Sequence, residues 1–341
     1  MNNKKSISIS DIAKLAGVST ATVSHVVNKS GRYSKATEEK VNEVINKYGY
    51  VSNNAARSLK SSSSHTVGLI IPNINNDFFA TIAATIEQYF DRYDYAVFIC
   101  NTDNDPQKER RYFHRLDSMR VDGIMVISCQ DLLGSDLITR NIPIVLIDRT
   151  PFNNMDLPIV ASDILTGISN ATERLIEKGC RDIIFISSFL ATYVRSNRKD
   201  GYFNAMAKHG LKASKDTIIQ LSQGPSLYNA ESEIVDYISK GNKVDGIICT
   251  SDNQAIGCMA GLKRLGLRVP EDVKVFGFDN QLQSRICTPS LSTIERDPVV
   301  IASTSAKLLL DLIRNKKEDH PSRTILPCRI IERESTGNKN A

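Results

Sequence analysis

Residues 12–23, which read IAKLAGVSTATV, decide the fold of the N-terminal part of this chain. Within the stretch, Ala13, Gly17 and Val23 stand at relative positions 0, +4 and +10. Two helices that cross closely need a small residue at the first position and a flexible residue in the turn. An aliphatic residue at the third position fills the angle between the helices. The spacing therefore predicts a helix-turn-helix.

Polar caps and glycine stops delimit three short helices in this region. A capping box precedes the first helix, and a serine side chain caps each of the next two. A glycine ends the first helix and another ends the third, because glycine readily adopts the positive φ that such an end requires. These residues are Ser8 with Asp11, Ser19, Ser34, Gly17 and Gly49. The sequence thus predicts an all-α N-terminal domain.

The positive charge of the chain is concentrated in this domain. Residues 1–65 hold ten Lys and Arg against four Asp and Glu, whereas residues 66–341 hold 33 basic and 34 acidic residues. This asymmetry favours a domain that binds a polyanion, although a solvated basic surface would have the same charge. Together with the helix-turn-helix it predicts DNA binding, with Thr20, Ala21 and His25 on the second helix facing the base edges. The alternative is a plain three-helix bundle in which His25 is only a solvated side chain.

Apolar strands alternate with amphipathic helices from Thr66 onward. This alternation predicts an α/β body of two doubly wound parallel-sheet lobes. A short internal repeat supports two lobes, because the sequence Val-Asp-Gly-Ile occurs twice, each time at the start of a strand that follows a helix. The two copies are Val121-Asp122-Gly123-Ile124 and Val244-Asp245-Gly246-Ile247. The predicted strands are 67–71, 95–100, 123–128, 143–148, 183–187, 217–221, 246–250, 273–278 and, more weakly, 291–295. The predicted helices include 78–92, 107–119, 167–178, 198–209, 230–240 and 254–265.

Length and composition exclude several classes of protein. The 341 residues exceed what one hydrophobic core organises, so we expect two or three domains. No apolar run reaches the roughly 18 residues that a membrane span needs, and the first ten residues lack the apolar core of a signal peptide. The seven Cys form no C-x-x-C pair, which is typical of reduced thiols in a cytoplasmic protein.

No signature of catalysis is found along the chain. The five His have no metal-ligand spacing, and neither a phosphate-binding glycine loop nor a nucleophile elbow is present. The sequence therefore predicts a protein that is not an enzyme and that holds no cofactor and no metal. An enzyme without any of these motifs is the alternative.

Polar residues follow several predicted strands of the body, where open α/β sheets bind their ligands. They are Asp148-Arg149, Asp163, Ser251-Asp252-Asn253 and Asp279-Asn280. Carboxylates and amides beside an Arg suit bidentate hydrogen bonds to vicinal hydroxyl groups. Each residue alone could equally cap the helix that follows it, but as a set they favour a ligand site between the lobes.

The N-terminal motifs closely resemble the DNA-binding head and hinge of the LacI/GalR family. The resemblance is carried by residues 12–19, 22–28 and 56–60, and the body is similar to that family's two-lobed, periplasmic-binding-protein-like effector domain. It implies a DNA-binding domain over 1–52 and a hinge helix with linker over 53–65. The effector and dimerisation domain would then span 66–341, with one lobe at about 66–162 and 296–321 and the other at about 163–295 and 322–341.

The resemblance also implies site residues. The DNA-binding positions are Ser19, Thr20, Ala21, Thr22, Ser24, His25, Asn28, Ala56, Leu59 and Lys60. Among these, Leu59 would be an apolar wedge in the minor groove with Ala56 beside it, and the short hinge would order on DNA. The effector-contacting positions are Asp77, Phe78, Phe79, Asp148, Asp163, Arg198, Ser251 and Asp279.

Departures from the family narrow the expected effector. Thr192 and Val194 stand where the purine-responsive member has Arg and Thr, which disfavours a purine corepressor, and Thr288 stands where the catabolite regulator carries Arg. We therefore expect a cytoplasmic, homodimeric repressor that binds a palindromic double-stranded operator. A sugar such as ribose, or another mono- or disaccharide, would release it. A corepressor- or phosphocarrier-dependent regulator of the same family is the alternative, and a transport binding protein is disfavoured by the basic head.

Overall fold

The structure is a computed structural model that describes residues 7–27, 30–50, 63–130, 132–133, 140–149, 157–187, 193–222, 226–314 and 321–337. The chain divides into two compact units, Met1–Ser64 and His65–Ala341. The predicted hinge residues at 53–60, together with Asn28, lie outside the described residues.

The first unit contains the predicted helix-turn-helix. Its described helices are α1 (Ile9–Ala16), α2 (Thr20–Val27) and α3 (Lys35–Tyr48). The amide of Asp11 donates to the Ser8 hydroxyl and the Asp11 carboxylate accepts from the Ser8 amide, which is the predicted capping box. Gly17 ends α1 at φ 67° and Gly49 ends α3 at φ 62°, so both predicted stops are confirmed.

A small apolar core holds the three helices together. Ile12, Val23 and Val41 come from different helices and are each completely buried, and Ala13 and Val26 are nearly so. Ala13 is small enough for α2 to approach, and Val23 fills the space between α1 and α2. The spacing of 0, +4 and +10 therefore has the packing role that the sequence predicted.

The first lobe of the body is built on a six-stranded parallel sheet, in the order β11-β5-β4-β3-β1-β2. Its strands are β1 (Thr66–Ile71), β2 (Ala96–Asn101), β3 (Gly123–Val126), β4 (Ile144–Ile147), β5 (Ile159–Ser162) and β11 (Arg323–Leu326). Its described helices are α4 (Asp77–Asp91), α5 (Pro106–Ser118) and α11 (Pro298–Ile313). Apolar residues of α4, α11 and the central strands form one core.

The second lobe repeats this plan, with the strand order β12-β10-β9-β8-β6-β7. Its strands are β6 (Ile183–Ser187), β7 (Ile218–Gln220), β8 (Gly246–Cys249), β9 (Lys274–Phe278), β10 (Ser292–Glu295) and β12 (Arg329–Ile331). Its described helices are α6 (Ile164–Glu177), α7 (Tyr193–Lys208), α8 (Ser226–Ser239), α9 (Asp252–Arg264) and α10 (Leu282–Ile286). The edge pair β10–β12 is antiparallel, and the other pairs are parallel. The predicted body of two parallel-sheet lobes is confirmed.

The two copies of the Val-Asp-Gly-Ile sequence occupy equivalent places in the lobes. Gly123 opens β3 and Gly246 opens β8, and each of these strands lies next to the first strand of its lobe. Asp122 accepts a hydrogen bond from the amide of His65, and Asp245 accepts from the amide of Asp182. In each lobe the aspartate carboxylate thus holds the backbone just before the first strand, so the repeated sequence has the same structural role twice.

The chain crosses between the lobes three times, and one crossing differs from the prediction. The crossings follow β5, β10 and β11. We expected residues 322–341 to belong entirely to the second lobe, which is wrong for β11. That strand pairs with β5 in the first sheet, from Arg323–Ile159 to Leu326–Ser162, so the chain returns to the second lobe only after Leu326. Strands β5, β11 and β12 are absent from the sequence prediction.

No helix among the described residues is long and apolar enough to cross a membrane.

Candidate functional sites

Helix α2 presents one polar face over the apolar core of the first unit. Thr20, Ala21 and His25 are exposed on it, whereas Val23 and Val26 are buried. These exposed side chains are the three that the sequence proposed as base readers. A helix that is anchored on one side and open on the other fits the width of the DNA major groove.

The start of α2 is fixed by a cap. The Ser19 hydroxyl accepts from the amide of Thr22 at 3.1 Å and lies 2.8 Å from the Thr22 hydroxyl. Ser19 is exposed, whereas Thr22 and Ser24 are partly buried. The cap satisfies one of the free amides at the helix start and so stabilises the first turn.

The ring of His25 is held from the C-terminal side of α2. Its Nδ1 lies 3.5 Å from the Ser30 hydroxyl, and a Cβ added at Gly31 would lie 2.6 Å from the same nitrogen. Gly31 has φ 77°, a conformation that favours glycine. The glycine therefore leaves the space in which the imidazole ring packs, and this sets the direction in which His25 faces outward.

A second constellation joins the two lobes of the body. Asp148 follows β4 in the first lobe, Asp279 follows β9 in the second, and Arg296 lies on the crossing between β10 and α11. Arg296 Nη1 donates to both carboxylate oxygens of Asp148, each at 2.7 Å. Its Nε donates to Asp279 at 2.9 Å, and its Nη2 donates to the same oxygen. All three side chains are less than a tenth exposed, so one buried guanidinium bridges the lobes.

Two more arginines lie close to this bridge. Arg149 donates to the carbonyl of Ser128 at 3.3 Å, and Arg198 donates to the carbonyl of Thr250 at 2.9 Å. The Nε of Arg198 is buried and has no hydrogen-bond partner among the described residues.

Three phenylalanine rings lie against the guanidinium groups. Arg296 lies 3.8 Å from the centre of the Phe78 ring, and Arg198 lies 4.3 Å from that of Phe278. Arg149 lies 5.5 Å from the centre of the Phe79 ring. Phe78 and Phe79 also belong to the core of the first lobe, and their contact with an effector stays a prediction.

The pKa values in the cleft reflect burial and unequal pairing. Burial alone would raise the pKa of Asp148, but the Arg296 guanidinium holds it below its ordinary value. Burial lowers the pKa of Arg198 to about 10, and repulsion from Arg296 adds to this effect. Burial also lowers the pKa of Arg149. The pKa of Arg296 instead rises despite its burial, because two carboxylates surround it.

The remaining predicted effector residues have other partners. Asp163 accepts from the amide of Thr166 at 3.2 Å and so caps α6. Ser251 accepts from the amide of Gln254 at 3.3 Å and so caps α9. Asp77 is exposed at the first residue of α4. The capping role is therefore established for Asp163 and Ser251, whose part in ligand binding stays a prediction.

Sequence reasoning missed Arg296 and Phe278. Both lie at the carboxyl ends of strands of the second sheet, where ligand sites of open α/β sheets form. Applying that rule to the weakly predicted strand 291–295 would have found Arg296. Phe278 gives no such signal, because an aromatic residue at the end of a buried strand is ordinarily part of the core. The side chains of Thr192 and Val194 lie outside the described part of the chain.

Sequence comparisons identify both parts of the chain. Residues 8–53 match bacterial regulatory proteins of the lacI family, and residues 172–336 match a periplasmic binding protein-like domain. The ribose operon repressor of Halalkalibacterium halodurans is 34% identical over 334 residues, which cover 98% of each chain. The HTH-type transcriptional repressor PurR of Glaesserella parasuis is 33% identical over 327 residues, which cover 95% of this chain and 94% of the relative.

Solved structures share the same architecture. The lac repressor dimer bound to operator and an anti-inducer superposes with a TM-score of 0.86 at 22% identity, covering 97% of this chain and 99% of that one. A periplasmic binding protein/LacI transcriptional regulator from Alkaliphilus metalliredigens, complexed with D-xylulofuranose, superposes with a TM-score of 0.67 at 31% identity. That match covers 80% of this chain and 99% of the other.

Proposed function

Because the chain belongs to the lacI family of bacterial regulatory proteins, we propose that it is a transcriptional repressor of a carbohydrate-utilisation operon. A small sugar bound between the lobes of its body releases it from a palindromic operator. The observation that carries the DNA-binding part is the capped helix α2, which turns Thr20, Ala21 and His25 outward from a buried core. The protein acts in the cytoplasm, where its operator lies.

On DNA, α2 enters the major groove and reads base edges with those three side chains. Ser19, Thr22 and Ser24 at its start, with Asn28 and the basic residues of the head, contact phosphates, which fix the position of the helix. Leu59 and Ala56 of the hinge enter the minor groove at the centre of the operator, and Lys60 adds a phosphate contact. Because Lys and Arg release counterions from DNA, operator affinity falls steeply as the salt concentration rises.

A two-fold dimer presents two such heads to the two halves of the operator. Large apolar side chains on the second lobe support this assembly: Leu282 is 64% exposed, Ile286 is 71% exposed and Tyr228 is 69% exposed. They lie on α8 and α10, both of which pack against α9. Large exposed apolar side chains of this kind are candidates for the dimer interface.

In the body, the effector binds where Asp148, Arg198 and Asp279 meet, with Phe78 and Phe79 as apolar walls. The carboxylates accept hydrogen bonds from sugar hydroxyls, and the arginines donate to sugar oxygens. Since these groups come from both lobes, a ligand that contacts them favours one arrangement of the lobes over another. That preference couples the cleft to the dimer and so to the operator.

The function is tested by measuring operator affinity with and without candidate sugars. We expect specific binding to a symmetric site, strong dependence on salt and weaker binding when the effector is present. Arg198→Ala should retain operator binding but lose the response to the sugar. Equal affinity for the symmetric site and for random DNA would contradict the repressor function.

The sign of the response separates the two candidate mechanisms. A corepressor-dependent regulator of the same family is the alternative to release by an inducer. A ligand that strengthens operator binding in the same titration would support that alternative, and a ligand that weakens binding supports release by an inducer.

A further inference from the structure

We propose that the effector is a carbohydrate with a negatively charged group, a phosphate or a carboxylate, which Arg149 and Arg198 receive in the cleft. This inference rests on the proposed function, because it names the class of effector for the same site. It follows from which charged groups of the cleft already have partners and which do not.

Both carboxylates in the centre of the cleft are taken by one arginine. Arg296 donates two hydrogen bonds to Asp148 and two to Asp279. Hydrogen bonds between charged groups, as here, are roughly twice as strong as those between neutral groups. In the described structure the ion pairs of both aspartates are with Arg296, and the aspartates attract Arg198 only at longer range.

Among the described residues, Arg149 and Arg198 have only neutral hydrogen-bond partners. Within the described residues no carboxylate oxygen lies within 4.0 Å of either guanidinium. Each instead donates one hydrogen bond to a backbone carbonyl, that of Ser128 or Thr250. Arg198 also keeps a buried Nε without an acceptor. A buried donor without an acceptor is costly, so this atom indicates a bond that a ligand completes.

The other acidic groups near the cleft are committed elsewhere. Glu109 is buried and accepts from the Ser128 hydroxyl, the Cys129 amide and the Gln130 side chain. Asp163 caps α6. The charge of Glu109 attracts Arg149 at longer range, but neither Glu109 nor Asp163 forms an ion pair with Arg149 or Arg198 in the described structure.

The pKa of Arg198 agrees with this geometry. Burial, with repulsion from Arg296, lowers it to about 10. A shift in this direction means that the unliganded cleft disfavours the charge of Arg198. An anionic group placed against Arg198 would reverse that effect, whereas a neutral hydroxyl would supply an acceptor without a compensating charge. The planar N–H pairs of Arg also match phosphate and carboxylate oxygens.

The test compares neutral and charged forms of the same sugar by calorimetry, without DNA. The probes are D-ribose, D-ribose 5-phosphate and D-ribonate, and D-fructose with D-fructose 6-phosphate, with inorganic phosphate as a control for simple anion binding. We expect a charged sugar to bind at least about tenfold more tightly than its neutral form. Tighter binding of the phosphate esters identifies a phosphate subsite, and tighter binding of D-ribonate identifies a carboxylate subsite.

The inference is overturned if a neutral sugar binds as tightly as its charged form, or if inorganic phosphate binds as tightly as the charged sugars. It is also overturned if no charged sugar binds below about 10 mM.

Two variants link the charge preference to the named residues. Arg198→Gln and Arg149→Gln each remove a charge but keep a hydrogen-bonding side chain. For either variant we expect the charged sugar to lose at least about tenfold more affinity than the neutral one. The matched control is Arg268→Gln, because Arg268 lies on the surface and pairs with Asp272, four residues along the chain. Equal losses for the two sugars in both cleft variants would contradict the proposal.

The operator assay keeps the two hypotheses apart. If the protein binds its operator but prefers neutral sugars, the repressor function is supported and the charged-effector proposal is rejected. If the protein binds no operator, the repressor function is rejected. Calorimetry with the neutral and charged sugars then still tests the charge preference of the cleft.

Discussion

At the scale of single residues, the buried side chain of Arg296 pairs with one aspartate from each lobe. It is 3% exposed and forms hydrogen bonds with Asp148 and Asp279, each of which follows a strand of a different sheet. Both aspartates have positive φ, 62° and 96°, a conformation that costs free energy and persists where surrounding contacts enforce it. The bridge is thus a feature of the cleft that no neighbouring residues in the sequence could specify.

Arg296→Met tests the bridge. The variant leaves two buried carboxylates unpaired, so we expect the body to lose about 3–5 kcal/mol of unfolding free energy. Urea unfolding followed by tyrosine fluorescence would measure this. Arg268→Met is the matched control, because its exposed ion pair should contribute less than about 1 kcal/mol. Equal stability of the two variants would show that the bridge contributes little.

Asp252 should make the stability of the body depend on pH. It is completely buried at the start of α9, and burial raises its pKa to about 7 although Thr293 and Gln281 donate hydrogen bonds to it. Between the unfolded pKa and pH 7, the unfolded chain ionises while the folded chain keeps its proton. Stability should therefore fall by about 2–3 kcal/mol as the pH rises from 5 to 8.

The comparison with Asp252→Asn isolates this effect. The Asn variant should lack this fall, and the difference between the two urea-unfolding profiles gives the contribution of Asp252. Asp272→Asn is the control, because the Arg268 side chain lowers the pKa of Asp272 to about 2, far below the tested range. Parallel profiles of the wild type and Asp252→Asn would show that Asp252 is ionised in the folded state.

At the scale of helices and strands, short-range signals located most of the elements. The helix predicted at 254–265 is observed as Asp252–Arg264, and that predicted at 167–178 is Ile164–Glu177. The helices begin earlier than predicted because Asp163 and Ser251 cap them, whereas the apolar pattern starts only after the first turn. Asp163 and Ser251 therefore mark helix starts, and their part in ligand binding stays a prediction.

The cap of α2 should affect both stability and DNA binding. Ser19→Ala removes the acceptor for the Thr22 amide, and we expect the head to lose about 1 kcal/mol. Circular dichroism melting of the full chain measures the helices, and fluorescence anisotropy measures operator affinity, which should fall severalfold. Ser10→Ala, an exposed change inside α1, is the control. A melting curve of Ser19→Ala that coincides with this control would contradict the capping role.

The hinge is tested through Leu59, which lies outside the described residues. If Leu59 is the minor-groove wedge, Leu59→Ala should weaken operator binding by about tenfold or more and leave most nonspecific binding intact. The reason is that unstacking and bending occur only at the specific site, whereas phosphate contacts act on any duplex. Anisotropy with operator and random DNA at one salt concentration measures both, with Ser61→Ala as the control. An equal loss on both duplexes would refute the wedge.

At the scale of the whole molecule, the three crossings determine which groups meet in the cleft. Arg296 lies on the second crossing, directly after β10, and β11 returns the chain to the first sheet before the third. A ligand held by Asp148 and Asp279 contacts both lobes at once. In the proposed mechanism, a change in the relative position of the lobes would therefore change the ligand's affinity, which would couple the cleft to the operator.

Linkage gives a test that involves the complete protein. If the sugar weakens operator binding by a given factor, the operator must weaken sugar binding by the same factor. Measuring sugar affinity by calorimetry with and without operator, and operator affinity by anisotropy with and without sugar, should give equal ratios. The control is Arg198→Ala, for which the ratio of operator affinities should be close to one. Unequal ratios in the wild type would mean that the two ligands do not act on the same equilibrium.

The sequence by itself determined the head, its caps, the two-lobed plan of the body and the pair Asp148 and Asp279. Some of these features depend on hydrogen bonds and apolar spacings within a few residues, as between Ser8 and Asp11. The others depend on the alternation of strands and helices along the body. Only the tertiary structure decided that Arg296 pairs with Asp148, 148 residues away, and that β11 belongs to the first sheet. Such contacts form when distant segments are brought together by chain crossings, and no local pattern encodes where a crossing places a buried charge.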